Sequence, residues 1–413
     1  MSDSSPPHHA QPSPYAAAWD LDPAVGFLNH GSFGACPREV LERQARLRRE
    51  MEAEPVRFMT RRLEPLLDES RAVLAGLLRV EAGDLVFVRN ATEAVGSVLR
   101  SLTLAPGEKL LVTDHAYNAC RNAVEFVADR SGAELVVARV PFQGASDDAI
   151  VEAVLAAVEP GTRLAVLDHV TSPTALVLPI ERLVARLAER GVDTLVDGAH
   201  APGMLPLDVG RLGAAYYAGN CHKWLCAPKG AGFLHVRRDR QQGLQPAVIS
   251  HGYNTRRPDR PPLHLAFDWT GTSDPTARLC VGHAIRFLEG LMANAPAGDG
   301  LAALMRRNHE LAVAARRILA DALGTPPPCP DDLLGAMAAL RLPPNIDPPP
   351  AAEPWQIDPL QDRLLTDFNI EVPIYCWPAP PQRLLRISAQ AYNHLGQYER
   401  LAEVLGEMGL MPS

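Results

Sequence analysis

From about residue 85 onward, short apolar runs rich in β-branched residues alternate with stretches in which apolar residues return every three or four positions. Residues 85–88, 109–113, 134–140, 163–170, 194–197, 215–219 and 232–236 read as strands, and residues 119–130, 148–158 and 179–190 as amphipathic helices. Gly132, Gly161 and Gly191 end or follow those helices. Continuous apolar strands separated by helices predict an α/β fold, with a mostly parallel sheet and helices on both of its faces. The short helical run 93–102 follows the first strand directly.

Upstream, residues 38–54 and 62–78 predict two more amphipathic helices, the second with Leu63, Leu66, Leu67, Val73, Leu74 and Leu77 on one side. Downstream of Trp269, helical patterns over 276–292 and 301–323 lead to proline-rich stretches at 325–330 and 343–350, then to a mixed tail that closes on a helix. The expected organisation is a flexible tail over 1–18, an N-terminal segment with a large domain over 19–295, and a small C-terminal α+β domain over 296–413.

Composition narrows the function. The 413 residues are 47% hydrophobic, enough to bury a full core. Forty Lys and Arg stand against 48 Asp and Glu, and the basic runs at 46–49 and 237–238 are short, so nucleic acid is not an expected partner. Seven scattered cysteines without a C-x-x-C pair speak against a disulfide framework or zinc site and for the cytoplasm. No uncharged apolar run approaches the length of a membrane span, and residues 1–14 lack the features of a signal peptide.

The chemistry is carried by two residues. Lys223 lies in Asn-Cys-His-Lys-Trp-Leu (220–225), and 26 positions earlier Asp197 opens Asp-Gly-Ala-His-Ala-Pro-Gly (197–203) at the end of an apolar strand. A lysine amine to react with an aldehyde and a carboxylate to hold a pyridine nitrogen protonated are what pyridoxal 5'-phosphate requires. Its phosphate needs backbone N–H groups and small polar side chains where a strand turns into a helix, as at Asn90, Ala91 and Thr92; Asn220 and His222 can reach it from the other side. The types of Asp197, His200 and His222 also suit zinc, but zinc explains neither Lys223 nor the phosphate turn.

Three stretches, Asn-His-Gly-Ser-Phe-Gly (29–34), Val-Asp-Gly-Ala-His-Ala-Pro-Gly-Met (196–204) and Gly-Asn-Cys-His-Lys-Trp-Leu (219–225), resemble the class V aminotransferase-like enzymes of fold type I, and among them the isopenicillin N epimerase branch. The resemblance implies a large cofactor domain, a small C-terminal domain and a homodimer with sites at the subunit boundary. It makes Lys223 the Schiff-base lysine and general base, and Asp197 the partner of the ring nitrogen. It sets His200 near the phenolic oxygen and Tyr117 on the ring face, with His115 as runner-up. Ser172 falls near the place where desulfurases carry an asparagine against the cofactor. Thr272 would reach the partner subunit's phosphate, Arg386 would clamp the substrate carboxylate, and Asn29 and His30 would face the substrate. Cys376 reads as structural rather than as a sulfur acceptor.

The expected activity is removal of the Cα proton of a small-molecule amino acid, leading to epimerisation. The alternative is β-elimination by a carbon–sulfur lyase, or a decarboxylating deamination, acting on an S-substituted cysteine in thiol or natural-product (antibiotic) biosynthesis. A cysteine desulfurase and an inactive scaffold are the remaining options. Epimerisation needs a second acid across the ring, for which Tyr117 or His30 is available.

Overall fold

The computed structural model describes residues 13–293, 300–343 and 357–410. Its strands are β1 (Gly26–Phe27), β2 (Leu85–Val88), β3 (Lys109–Thr113), β4 (Glu134–Ala138), β5 (Thr162–Asp168), β6 (Asp193–Gly198), β7 (Tyr216–Asn220), β8 (Gly232–Val236), β9 (Met337–Arg341), β10 (Ile370–Glu371), β11 (Ile374–Cys376) and β12 (Arg383–Ser388). Seven of them form one sheet in the order β2-β8-β7-β6-β5-β3-β4. All of its pairings are parallel except the two made by β8, so β8 alone runs against the rest.

Burial explains why these strands read as unbroken apolar runs. Successive residues feed two separate cores: Leu85, Phe87, Leu111, Leu167, Val196 and Phe233 pack on one face, while Val86, Val88, Leu110, Val112, Val166 and Leu195 pack on the other. With both faces covered, period-two alternation of polarity is lost. Each fully buried side chain of this size contributes roughly 1.5–3 kcal/mol. The strand order reverses between β3 and β5, since the chain leaves β3 for β4 on one side and returns to β5 on the other. Ligands of open α/β sheets sit outside the carboxyl ends of the strands at such a point.

Beyond this sheet, β9, β11 and β12 form an antiparallel sheet in the order β11-β12-β9, with the helices Leu301–Leu323 and Leu395–Glu407 in the same buried cluster. Strand β1 pairs in parallel with β10, so the start of the chain is tied to its C-terminal part.

Several elements differ from the sequence reading. The strands expected over 134–140 and 163–170 are shorter, and the helix expected over 276–292 runs as Thr276–Leu279 and Val281–Leu291. At the break, the Cys280 N–H is shared between the Thr276 and Ala277 carbonyls. Residues 13–18 are not a loose tail: Ser13 is buried with its hydroxyl on the Ala391 carbonyl, and Ala16–Ala18 forms a 3-10 turn. The rest of the expected tail (1–12), the boundary near 295 and most of the proline stretch at 343–350 lie outside the described residues. Among the described residues, no helix is long and apolar enough to cross a membrane.

Candidate active site

The lysine turn is seated by backbone contacts that only glycine permits. Gly34 (φ +68°) would carry a Cβ 2.0 Å from the His222 carbonyl oxygen, and Gly203 (φ +86°) one 2.5 Å from that of Trp224. Gly34 ends the first of the three motifs and Gly203 lies next to the end of the second, so all three meet at the turn after β7. Asn220 Oδ1 accepts from the Ala91 N–H at 2.8 Å, which ties the same turn to the start of the helix Ala91–Ser101.

Lys223 is buried, with Nζ 3.1 Å from His200 Nε2. Burial first, then the Arg386 charge, lowers the amine from its usual 10.5 to about 7. His200 is held well below the usual histidine range, by burial and then by Lys223. Its Nδ1 lies 3.4 Å from the Trp224 indole N–H.

Asp197, the penultimate residue of β6, pairs in register with Asp168, which ends β5. Its Oδ1 accepts from the Ala199 N–H and its Oδ2 from the Cys120 thiol, both at 3.0 Å. Burial, followed by the charge of Asp197, raises Asp168 well above the carboxylate range, and burial raises the Cys120 thiol likewise.

Arg386, on β12, is fully buried. Its Nη1 donates to the Ser172 carbonyl (2.7 Å) and hydroxyl (3.3 Å), its Nη2 donates to Ser32 Oγ (3.1 Å), and the guanidinium lies 4.9 Å from the Tyr375 ring centroid. Its Nε has no partner, and among the described residues no carboxylate pairs with it. A buried cation without an anion is costly, and it makes the site receptive to a carboxylate from outside.

Asn90 caps the Ala91–Ser101 helix, accepting from the Glu93 N–H at 2.9 Å, and Thr92 is exposed on the same turn. Close approach of β8 at Gly232, where a Cβ would stand 2.7 Å from Asn90 Cα, keeps this turn against the sheet edge. Tyr117 caps the helix Asn118–Ser131 and is 40% exposed; burial, Cys120, Tyr375 and Asp197 raise its phenol. His222 Nδ1 is 3.1 Å from the Ala231 carbonyl, and burial lowers this histidine to about 4. Thr272 is exposed on the surface of the protomer.

Some expected roles are redirected. His30 does not face the substrate space: it is fully buried, with Nδ1 2.7 Å from the Tyr392 hydroxyl and Nε2 3.0 Å from the Lys223 carbonyl, and burial lowers it to about 3. It supports the lysine turn from behind, with both ring nitrogens engaged and its N–H committed to the Lys223 carbonyl. Asn29 is likewise engaged, donating to Glu371 at 2.9 Å and accepting from Ser32, which it orients toward Arg386. Ser172 meets Arg386 through its carbonyl and hydroxyl. His115 is spent on Thr174 (2.7 Å) and the Val140 carbonyl (2.9 Å), as a structural histidine would be.

Four residues here escaped the sequence reading: Cys120, Asp168, Tyr375 and Ser32. The signal for Asp168 was present, because the apolar run 164–167, like the run 194–196 before Asp197, leads directly into an aspartate. Cys120 follows Tyr117 by three positions, the spacing that shares a helix face. The zinc grouping does not assemble around His200 and His222, whose ring nitrogens meet Lys223, Trp224 and Ala231. Elsewhere, Asp68, His264 and Asp268 converge, but Arg71 and Arg260 occupy their carboxylates, making an ion-pair network.

The donor set fits pyridoxal phosphate: an amine that is free near neutrality, a buried acid at a strand end, a capped helix N-terminus for a phosphate, and an unpaired arginine for a carboxylate. A family model described as Aminotransferase class-V matches residues 32–295. An isopenicillin N epimerase from Amycolatopsis lactamdurans is 39% identical, covering 95% of this chain and 99% of that protein. A putative L-cysteine desulfhydrase from Oryza sativa subsp. japonica is 34% identical, covering 93% and 83%. Among solved structures, the apo cysteine desulfurase from Thermococcus onnurineus NA1 superposes with a TM-score of 0.76 at 19% identity, over 97% of this chain and 98% of that one. That likeness speaks to the fold alone.

Proposed function

The chain belongs to the class V aminotransferase family, and from that premise we propose an isopenicillin N epimerase-like enzyme that inverts the Cα of an amino acid. It is a pyridoxal 5'-phosphate-dependent enzyme. When bound, that group supplies an electron sink for charge developing at the substrate Cα. The observation that carries the reading is the pairing, in one site, of a neutral buried amine at Lys223 with the unpaired buried cation of Arg386.

In this reading Arg386 takes the substrate carboxylate through its buried guanidinium, with Ser32, Ser172 and the Tyr375 ring fixing its plane. Lys223 would hold the cofactor through its aldehyde, and its Nζ is the base placed to take the Cα proton. When the cofactor is bound, Asp197 would face the ring nitrogen, His200 the phenolic oxygen, and Tyr117 the ring plane. Asn90, Ala91, Thr92, Asn220 and His222 surround the phosphate. The protein acts as a homodimer, and Thr272, exposed on the single protomer, reaches the partner subunit's cofactor.

With His30 spent on Tyr392 and the lysine turn, the second acid that inversion needs falls to a phenol, Tyr117 or Tyr375. This favours keeping a second reading, β-elimination from a cysteine or its S-conjugate, which needs only one base. The similarity to L-cysteine desulfhydrases supports it. The two part in deuterated water. Epimerisation puts deuterium at Cα of recovered, inverted substrate, whereas elimination releases ammonia, a keto acid and a thiol or sulfide. Release of those products without recovery of the other enantiomer across an amino-acid panel would replace the first reading by the second.

A further inference from the structure

Both oxygens of Asp197 are bonded to neutral donors, the Ala199 N–H and the Cys120 thiol. Asp168 stands beside it, in register on the neighbouring strand and equally buried. At the spacing of adjacent strands, about 4.8 Å between backbones, two buried carboxyls do not both ionise readily. Burial, followed by the charge of Asp197, raises Asp168 well above the carboxylate range, and Asp168 accepts from the Tyr117 N–H. Cys120 lies one helical turn on from Tyr117, so a single turn offers a phenol to the site and a thiol to the acid beneath it. A thiolate there would add another negative charge to a dry pocket, so the sulfur remains an S–H donor.

We infer that Cys120 is a positioning residue for Asp197, its S–H holding Oδ2 so that the carboxylate presents its free lone pair toward a cofactor ring nitrogen. The inference rests on the reading of Asp197 proposed above. The competing account is that Cys120 only fills space, as buried cysteines usually do.

Cofactor dissociation constants and the visible absorption band, measured on the holoenzyme beside apo-protein melting temperatures, separate the two. Cys120→Ala and Cys120→Val both lack a donor, and Val restores the volume; each is expected to weaken cofactor binding about fivefold, the worth of one hydrogen bond. Cys120→Ser, which donates through O–H, is expected to stay within about twofold of the native protein. If Cys120→Ala does not fold, the Val and Ser variants give the comparison. Native-like affinity in Cys120→Val, or a loss in Cys120→Ser equal to that in Val, overturns the inference. Asp197→Asn is the separate check: it is expected to weaken binding more than tenfold, and unchanged affinity there removes the reading of Asp197 itself.

Discussion

His200 donates a hydrogen bond to the amine of Lys223, with Nε2 and Nζ 3.1 Å apart. The direction follows from the third partner. The Trp224 indole N–H can only donate, and it points at His200 Nδ1. A neutral imidazole has one proton, so it sits on Nε2, assigned from this network. The lysine must then offer a lone pair, which agrees with an amine lowered to about 7 by burial and Arg386. A charged ammonium would place two donors face to face.

Lys223 should therefore react with the cofactor aldehyde near neutrality. The rate at which apo-protein regains the visible absorption band is expected to rise with pH and level off above about 7. Lys223→Ala should lack that band. Stability follows the same sign: the unfolded lysine binds its proton up to about 10.5, so this group makes the apo-protein more stable as pH rises from about 7 toward 10.5. A reconstitution profile still climbing at pH 9 would contradict the tautomer argument.

The proposed role of Arg386 is to take a ligand carboxylate rather than to hold the fold. Arg386→Met should leave the apo melting temperature equal or higher, because it removes an uncompensated buried charge. The same variant should lose saturable binding of amino acids. Arg386→Lys should cost roughly 30-fold or more in kcat/KM, since a point charge cannot replace the planar fork. A melting temperature well below native in Arg386→Met would assign the arginine a structural role.

Two glycines give opposite outcomes. Gly34→Ala forces φ +68° on a side chain and drives its Cβ into the His222 carbonyl, so a loss of about 2 kcal/mol or more is expected, with loss of bound cofactor. Gly76, inside the Leu63–Leu78 helix, has nothing within 4 Å of its Cβ position, and Gly76→Ala should stabilise by about 0.5–1 kcal/mol. Denaturant midpoints of the pair test this directly.

Acid should unfold the protein through its buried histidines. Burial lowers His30 to about 3 and His169, His222 and His235 to about 4, while each takes a proton near 6.5 once unfolded. Their contribution is full above about pH 6.5 and falls as pH drops from 6.5 to about 4. His235, on β8 away from the lysine, offers a clean probe. His235→Gln should flatten the decline of unfolding free energy by up to about 1.4 kcal/mol per pH unit. An unchanged slope would mean that His235 takes its proton in the folded state.

The helix starts that follow Asn90 and Tyr117 were legible because each is a local event, a strand ending and a helix beginning within a few residues. Roles that depend on which way a side chain turns were not. His30 and Asn29 sit in the most regular motif of the chain, yet the approach of β12 and the lysine turn draws His30 under Lys223 and turns Asn29 toward Ser32. Ser172 was placed near the cofactor by its position after β5, and the arrival of Arg386 from more than 200 residues away claimed its carbonyl and hydroxyl.

By itself the sequence determined the α/β architecture, the lysine and the strand-end aspartate, because burial of strands on both faces and the chemistry of one cofactor write themselves into runs of a few residues. Only the tertiary structure decided what surrounds those two groups: Cys120 and Asp168 beside Asp197, His200 and Trp224 beside Lys223, and the lone buried charge of Arg386. Such neighbours come from separate strands and helices brought together by packing. Their protonation states depend on the burial that packing creates, which residue spacing does not record.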